Sequence, residues 1–170
     1  MDLNAYIRDV ENFPVEGIVF KDICPLLQNA EAFQSAIDSM VDIVKGTEFD
    51  LIAAPDARGF IFGVPMALTL EVPFVPIRKA GKLPYKTVSY SYELEYGTDT
   101  LEMHIDAINS SQKVLLVDDL LATGGTIAAC GSLVERQGGV VAGYCFLIEL
   151  GFLAGRDQLG DKPIHRLLAY

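Results

Sequence analysis

The sequence predicts an α/β fold, in which one open, mostly parallel, twisted sheet is flanked by helices. Apolar runs without polar alternation occur at 50–55, 114–117 and 140–150, which is typical of buried strands in a parallel sheet. Helix-like segments and short links separate these runs, so strand–helix–strand units follow one another. The chain has 170 residues, of which 51% are hydrophobic, and this suits one domain with a packed core.

Periodicity predicts the elements of the first half of the chain. Residues 31–45 carry apolar side chains at spacings of three and four, which predicts an amphipathic helix facing inward through Phe33, Ile37, Met40 and Val44. Asn29 is its expected N-cap. A strand at 50–55 is followed by a buried helix at 59–70. The next strand, 72–77, contains Pro73 and Pro76, which predict an edge position or irregular pairing.

The second half begins with a change of character. Residues 78–100 are polar and rich in tyrosine, and the alternation in KTVSYSYELEY predicts an exposed two-stranded ribbon. The run at 114–117 predicts a central parallel strand. A helix is expected at 124–137 with Gly138 as its stop, followed by a strong strand at 140–150.

Composition excludes several classes of function. Lys and Arg number 13 against 23 Asp and Glu, and the net charge of −10 argues against general binding to nucleic acid or to anionic membranes. Any polyanion must therefore be held by a local basic cluster. Cys24, Cys130 and Cys145 form no Cys-x-x-Cys motif, which argues against a zinc knuckle or a disulfide framework. With no apolar signal segment at the start, these features predict a soluble, cytoplasmic protein.

The most informative segment is VLLVDDLLATGGTIAA at 114–129. A buried strand is expected to end in Asp118 and Asp119, and a loop of small residues at 122–126 then leads into a helix. The free N–H groups and the dipole at a helix start favour an anion, and Thr123 and Thr126 add hydroxyl donors. Paired carboxylates beside such a loop suit sugar hydroxyls or water on a metal, so the segment predicts a phosphorylated ribose. It matches neither the P-loop nor the dinucleotide-binding pattern.

The stretch VLLVDDLLATGGT resembles the phosphoribosyl diphosphate (PRPP) motif of type I phosphoribosyltransferases. The resemblance extends to the adenine phosphoribosyltransferases through FPVEGIVFKDICPLL (13–27), DARGFIFG (56–63), RKAGKLP (78–84) and SYELEYGTDTLEMH (91–104). It implies the type I phosphoribosyltransferase fold as a single domain, 1–170. A small base-binding hood would lie at about 1–27 and a flexible β-ribbon lid at about 78–104.

The implied reaction is transfer of the 5-phosphoribosyl group from PRPP to adenine, giving AMP and diphosphate in purine salvage. The resemblance assigns the ribose hydroxyls to Asp118 and Asp119. It assigns the 5′-phosphate to Ala122, Thr123, Gly124, Gly125 and Thr126. It places the diphosphate on Arg58, Arg78, Lys79 and Lys82, whose cations suit the charge of that leaving group.

The remaining implied roles concern the base. Val19, Phe20 and Arg58 would bind adenine, with Phe20 stacking on the ring and the Val19 backbone contacting the base edge. Glu95 and Arg58 are the implied catalytic residues, and Glu95 would take a proton from the purine. Tyr96 would belong to the lid. The family also implies a cis peptide between Asp56 and Ala57.

The resemblance implies Mg²⁺ as a cofactor that arrives with PRPP and is held mainly by PRPP oxygens and water, so no protein metal site is expected. A homodimer is expected, with no nucleic-acid or membrane partner. Two alternatives stay open. One is a phosphoribosyltransferase for hypoxanthine, guanine or xanthine, which would keep the same PRPP loop. The other is a PRPP-sensing regulator that binds DNA, which would need an added helix-turn-helix domain and a basic face.

Overall fold

The structure, a computed structural model, describes residues 1–93 and 97–170. The chain divides into two compact units, Met1–Ser39 and Met40–Tyr170. The first unit begins with a 3-10 helix at Leu3–Tyr6 and contains strands β1 (Arg8–Glu11) and β2 (Val19–Asp22), helix α1 (Cys24–Leu27) and the start of helix α2 (Ala30–Ile43).

The antiparallel pair β1 and β2 was not predicted, because its strands are four residues long, mostly polar and without a buried residue. Cross-strand ion pairs join it, Arg8 with Asp22 and Lys21 with Asp9, each at 2.6 Å. In α2 the Asn29 carboxamide accepts the Ala32 N–H at 2.9 Å, which confirms the predicted N-cap.

The second unit contains strands β3 (Leu51–Pro55), β4 (Phe74–Lys79), β5 (Thr87–Glu93), β6 (Thr98–His104), β7 (Lys113–Leu121), β8 (Val140–Glu149) and β9 (Ile164–Ala169). Its helices are α3 (Arg58–Leu70) and α4 (Gly125–Arg136), with 3-10 helices at Gly151–Leu153 and Gly155–Gln158. In the described part of the chain the strands form one seven-stranded sheet of order β5-β6-β4-β3-β7-β8-β9. Strands β4, β3, β7, β8 and β9 pair in parallel, whereas β5 pairs antiparallel with β6, and β6 with β4. The predicted α/β fold with a mostly parallel sheet is therefore confirmed.

The predicted edge position of the proline-containing strand is wrong, because β4 lies between β6 and β3. The alternative, irregular pairing, is not seen with β3, because β4 pairs with it in unbroken register from Phe74 to Ile77. The carbonyl groups of Pro73 and Ile77 accept hydrogen bonds from the β3 side, so Pro76, one residue out of phase, faces away from β3. On that side β6 pairs only with Arg78 and Lys79, and the missing N–H of Pro76 costs no ladder bond.

The predicted ribbon is the antiparallel pair β5 and β6, and it is less exposed than the alternation suggests. One of its faces packs on α4, where the Arg136 guanidinium lies 4.8 Å from the centre of the Tyr90 ring. The strand β9 was not predicted. Among the described residues, no helix has both the length and the apolar character needed to cross a bilayer.

Candidate active site

A cavity of about 280 Å³ opens where the adjacent parallel strands β3 and β7 end. Residues 55–58, at the end of β3 and the start of α3, line one side. Residues 118–127, from the end of β7 to the first turn of α4, line the other side. Ligands of open α/β sheets bind at this edge, because the loops that follow neighbouring strands meet there.

The segment 122–126, called the glycine loop below, joins β7 to α4. Gly124 has a φ of 85°, the left-handed conformation, and serves as the N-cap of α4. The first N–H groups of a helix have no partner within the helix, and here they face the end of the sheet that carries the cavity. With the hydroxyl groups of Thr123 and Thr126, the glycine loop therefore supplies donors suited to an anion.

Two adjacent carboxylates lie at the base of this cavity. Asp119 is only 3% exposed, and its Oδ2 lies 3.0 Å from Nε of Arg58 at the start of α3. The Asp118 carboxylate accepts the backbone N–H of Asp119 at 2.9 Å. Burial, with the charge of Asp119, raises the pKa of Asp118 well above its ordinary value. Burial also raises the pKa of Asp119, and the Arg58 guanidinium opposes this rise.

The expectation that the strand ends at these carboxylates is wrong. Strand β7 continues to Leu121, and Asp118 pairs in register with Phe146 of β8. The parallel neighbour β8 is long enough to carry the ladder past the acidic pair. Both carboxylates are thus held by a regular strand, which makes their spacing more rigid than a turn would.

Cations gather on a third carboxylate of the cavity wall. Oδ2 of Asp56 lies 3.0 Å from Nε of Arg78 and 3.6 Å from Nζ of Lys82. The guanidinium of Arg78 also donates to the Lys82 carbonyl at 3.1 Å, so one network holds both cations beside the cavity. The peptide between Asp56 and Ala57 is cis, as the resemblance implies.

Lys79 points to a different partner, because its Nζ lies 3.0 Å from Oδ2 of Asp99 on β6. This contact raises the pKa of Lys79 and lowers that of Asp99. On the neighbouring strand β5, the Tyr92 hydroxyl lies 3.2 Å from Oγ1 of Thr126. The ribbon is thus tied to both the basic segment and the glycine loop.

Comparisons with known proteins agree with this geometry. Residues 25–163 match the family model described as the phosphoribosyl transferase domain. The chain is 55% identical to the adenine phosphoribosyltransferase of Pseudothermotoga lettingae, over 100% of both chains. The crystal structure of the adenine phosphoribosyltransferase of Thermoanaerobacter pseudethanolicus superposes with a TM-score of 0.96 at 53% identity, covering 99% of this chain and 98% of that one.

The chain belongs to the adenine phosphoribosyltransferase family. The family, fold and enzyme class predicted from the PRPP motif are therefore confirmed. A further member, from Saccharomyces cerevisiae, was solved with D-2,5-dideoxy-2,5-imino-altritol 1,6-bisphosphate and adenine. It has a TM-score of 0.91 and 41% identity, covering 98% of this chain and 96% of that chain.

The structure brings together most residues that were assigned to PRPP from the family resemblance. Arg58, the acidic pair and the glycine loop all line the cavity. Arg78 and Lys82 reach its wall through Asp56, whereas Lys79 binds the ribbon. The ligands assigned to each of these residues stay predictions.

Apart from Arg58, the residues assigned to the base lie in the first unit or outside the described residues. Val19 and Phe20 lie on β2 in the first unit, opposite Glu11 and Val10 of β1. The Phe20 ring meets the edge of Phe13 at 5.2 Å between centroids. Glu95 and Tyr96 lie outside the described residues, so their assigned roles stay predictions.

Three residues that shape this site were not predicted as site residues from the sequence. Asp56 was noted only for its peptide bond, although a carboxylate directly after a buried strand signals a position at the ligand edge. Tyr92 was read only as part of an alternating strand. Gly155 carried no local signal, yet a Cβ atom there would lie 2.2 Å from the Ala122 carbonyl oxygen of the glycine loop.

The family resemblance implies Mg²⁺, and the acidic side chains of the site fit an ion that PRPP carries. Within residues 1–93 and 97–170, no three or more His, Cys, Asp or Glu side chains form a group able to hold a metal ion. Asp118 and Asp119 could accept hydrogen bonds from water on a Mg²⁺ ion carried by PRPP. These donors fit an ion whose other ligands come from the substrate and from water.

Proposed function

We propose that this chain transfers the 5-phosphoribosyl group of PRPP to adenine, giving AMP and diphosphate in purine salvage. A purine nitrogen forms a bond to ribose C1, the bond from C1 to the diphosphate oxygen breaks with its electron pair, and the purine loses a proton. The observation that carries the proposal is the cavity lined by two adjacent carboxylates, the buried Asp119 and the half-buried Asp118, and by a glycine loop at a helix start, within a member of this family.

PRPP would occupy the cavity with its 5′-phosphate on the glycine loop. The N–H groups at the start of α4 and the hydroxyls of Thr123 and Thr126 would donate to the phosphate oxygens. Asp118 and Asp119 would accept hydrogen bonds from the ribose hydroxyls. A neutral hydroxyl is a suitable partner for a carboxylate whose neighbour is also acidic, whereas a phosphate is not.

The diphosphate would lie toward Arg58, Arg78, Lys79 and Lys82. Arg78 and Lys82 already share Asp56 at 3.0 and 3.6 Å, and their cations would stabilise the charge that develops on the leaving group. Lys79 would exchange its ion pair with Asp99 for the diphosphate. Asp118 and Asp119 could accept hydrogen bonds from water on the Mg²⁺ that PRPP carries, and that ion would supply further positive charge for the leaving group.

The base-side roles come from the family motif. Glu95 would take up the purine proton, Phe20 would stack on adenine and the Val19 backbone would discriminate the base edge, while Tyr96 would belong to the lid. The transition state would be oxocarbenium-like and would require exclusion of water. The single-domain organisation, the hood at about 1–27 and the lid at about 78–104 stay predictions.

A base panel tests the function directly. Purified protein is incubated with PRPP, Mg²⁺ and each of adenine, hypoxanthine, guanine and xanthine, and nucleotide formation is followed. AMP from adenine alone supports the proposal. Turnover of an oxopurine would overturn the base assignment, and PRPP binding without any turnover would favour the regulator.

We further propose that the protein is a cytoplasmic homodimer. The free cysteines suit a reducing compartment. The exposed face of α3 carries Val64 and Leu68, 37% and 75% exposed, one helical turn apart. Exposed apolar side chains at such spacing suit a second copy of the chain.

A further inference from the structure

The chain has an ion-pair cluster around one buried carboxylate outside the cavity, at the end of β8. Glu149 is 6% exposed and receives two hydrogen bonds from Arg156, Nε to Oε1 at 2.5 Å and NH2 to Oε2 at 2.8 Å. Arg166 of β9 binds the same carboxylate through Oε2. The Arg156 contact lowers the pKa of Glu149, which keeps the group ionised. None of the three side chains lines the cavity.

The cluster lies directly behind the glycine loop. Glu149 is in register with Leu121, the last residue of β7, and the Leu150 N–H donates to the Leu121 carbonyl at 2.9 Å. Arg156 belongs to the 3-10 helix Gly155–Gln158. The bidentate pair therefore joins this short helix to the strand beside the loop.

The short helix and the glycine loop are in reciprocal backbone contact. A Cβ atom on Gly155 would lie 2.2 Å from the Ala122 carbonyl oxygen. A Cβ atom on Gly124 would lie 2.4 Å from the Gly155 carbonyl oxygen. The two backbones approach so closely that a movement of the short helix must displace the loop or leave a gap behind it.

The far end of the short helix is fixed by apolar packing. Leu159, 4% exposed, belongs to the same buried cluster as Leu121 and Ile127. Arg156, which is 43% exposed, is instead held by charge-assisted hydrogen bonds to Glu149. The ion pair is thus the side-chain contact that ties the start of the short helix to β8.

We infer that Glu149 and Arg156 are positioning residues for the PRPP site, holding Gly155 against the glycine loop so that its N–H groups keep the geometry that binds the 5′-phosphate. The inference rests on the proposed function, because that function assigns the loop to the 5′-phosphate. Neither residue lines the cavity, so we expect an effect on the affinity for PRPP rather than on the chemistry of transfer.

Arg166 provides a matched control. Its side chain is 44% exposed, close to the 43% of Arg156, and both bind the same carboxylate. Arg166 ties Glu149 to β9, at the sheet edge, whereas Arg156 ties it to the short helix that contacts the glycine loop. A role limited to stabilising the fold predicts the same outcome for both substitutions.

The experiment compares Arg156→Gln with Arg166→Gln in full steady-state kinetics. We expect Arg156→Gln to raise the KM for PRPP about tenfold, with the KM for adenine and kcat within about twofold, because N–H groups displaced from the 5′-phosphate lose charge-assisted hydrogen bonds that stabilise bound PRPP. Arg166→Gln should leave both KM values within about twofold. Arg156→Lys keeps the charge but loses the bidentate geometry, so it should recover part of the loss.

A pair of glycine variants decides the matter if Arg156→Gln does not fold. Gly155→Ala should raise the KM for PRPP, while Gly151→Ala should not, because its Cβ would meet only the Tyr170 carbonyl oxygen at 3.6 Å. Equal effects within either pair, or a loss confined to kcat, would overturn the inference. Absence of AMP formation by the wild-type protein would instead overturn the proposed function.

Discussion

The contact between Gly124 and Gly155 makes a quantitative prediction for Gly124→Ala. An alanine at 124 must adopt a φ of 85°, and the left-handed conformation costs about 1–2 kcal/mol for a residue with a Cβ atom. Its Cβ would also lie 2.4 Å from the Gly155 carbonyl oxygen. Overpacking of this kind costs about 1–3 kcal/mol. We therefore expect the free energy of unfolding to fall by about 2–5 kcal/mol.

The neighbouring glycine supplies the control for this substitution. A Cβ atom on Gly125 would meet nothing within 4 Å, and its φ is not in the left-handed region. Gly125→Ala should leave the stability unchanged or raise it by up to about 1 kcal/mol, because alanine is the better helix former.

The assay is thermal unfolding of both variants without ligand, at one protein concentration because association changes the apparent Tm. In a chain of this size each kcal/mol shifts Tm by about 2–4 °C, so Gly124→Ala should unfold roughly 4–20 °C below the wild type. Equal Tm values for the two variants would refute the reasoning, since they differ in backbone conformation and in the approach of Gly155.

Two further predictions concern charge and assembly. Burial raises the pKa of Asp118, so the unfolded chain releases this proton at a lower pH than the folded chain, and stability falls as pH rises from about 4 toward the raised pKa. Asp118→Asn lacks this titrating proton, so its stability loses this pH dependence. The Tm of the variant minus the Tm of the wild type should therefore increase over this pH range, and a constant difference would contradict the prediction. Leu68→Glu should convert the proposed homodimer to a monomer in sedimentation equilibrium. Ile105→Glu, at a side chain 44% exposed after β6, should leave the mass unchanged, and a dimeric Leu68→Glu variant would count against the α3 interface.

The local pattern of the sequence was sufficient for much of the fold. The unbroken apolar runs at β3, β7 and β8 indicate strands buried on both faces, and the helices with short links between them favour parallel pairing. The pattern failed where burial depends on a distant partner. Strands β1 and β2 are mostly polar, have no buried residue and were missed. Strand β4 can lie inside the sheet despite its proline, because Pro76 faces away from β3 and β6 pairs with only Arg78 and Lys79 on that side.

The same division holds for the candidate site. The order of acidic pair, small residues and helix within 114–129 predicted the glycine loop and the kind of ligand, because helix starts and small residues create an anion site locally. No local pattern could show that Lys79 binds Asp99 while Arg78 and Lys82 bind Asp56. Those pairings depend on how β4 and the ribbon lie beside each other.

The sequence by itself therefore determined the class of fold, the family and the residues of the PRPP motif, because each is recognised from local patterns, the family from several segments spread along the chain. The tertiary structure decided which cations face the cavity, how far β7 extends past Asp119, and that Gly155 supports a loop some thirty positions earlier in the chain. Such contacts join residues that are distant in sequence, and they form only when separate elements pack at van der Waals distance.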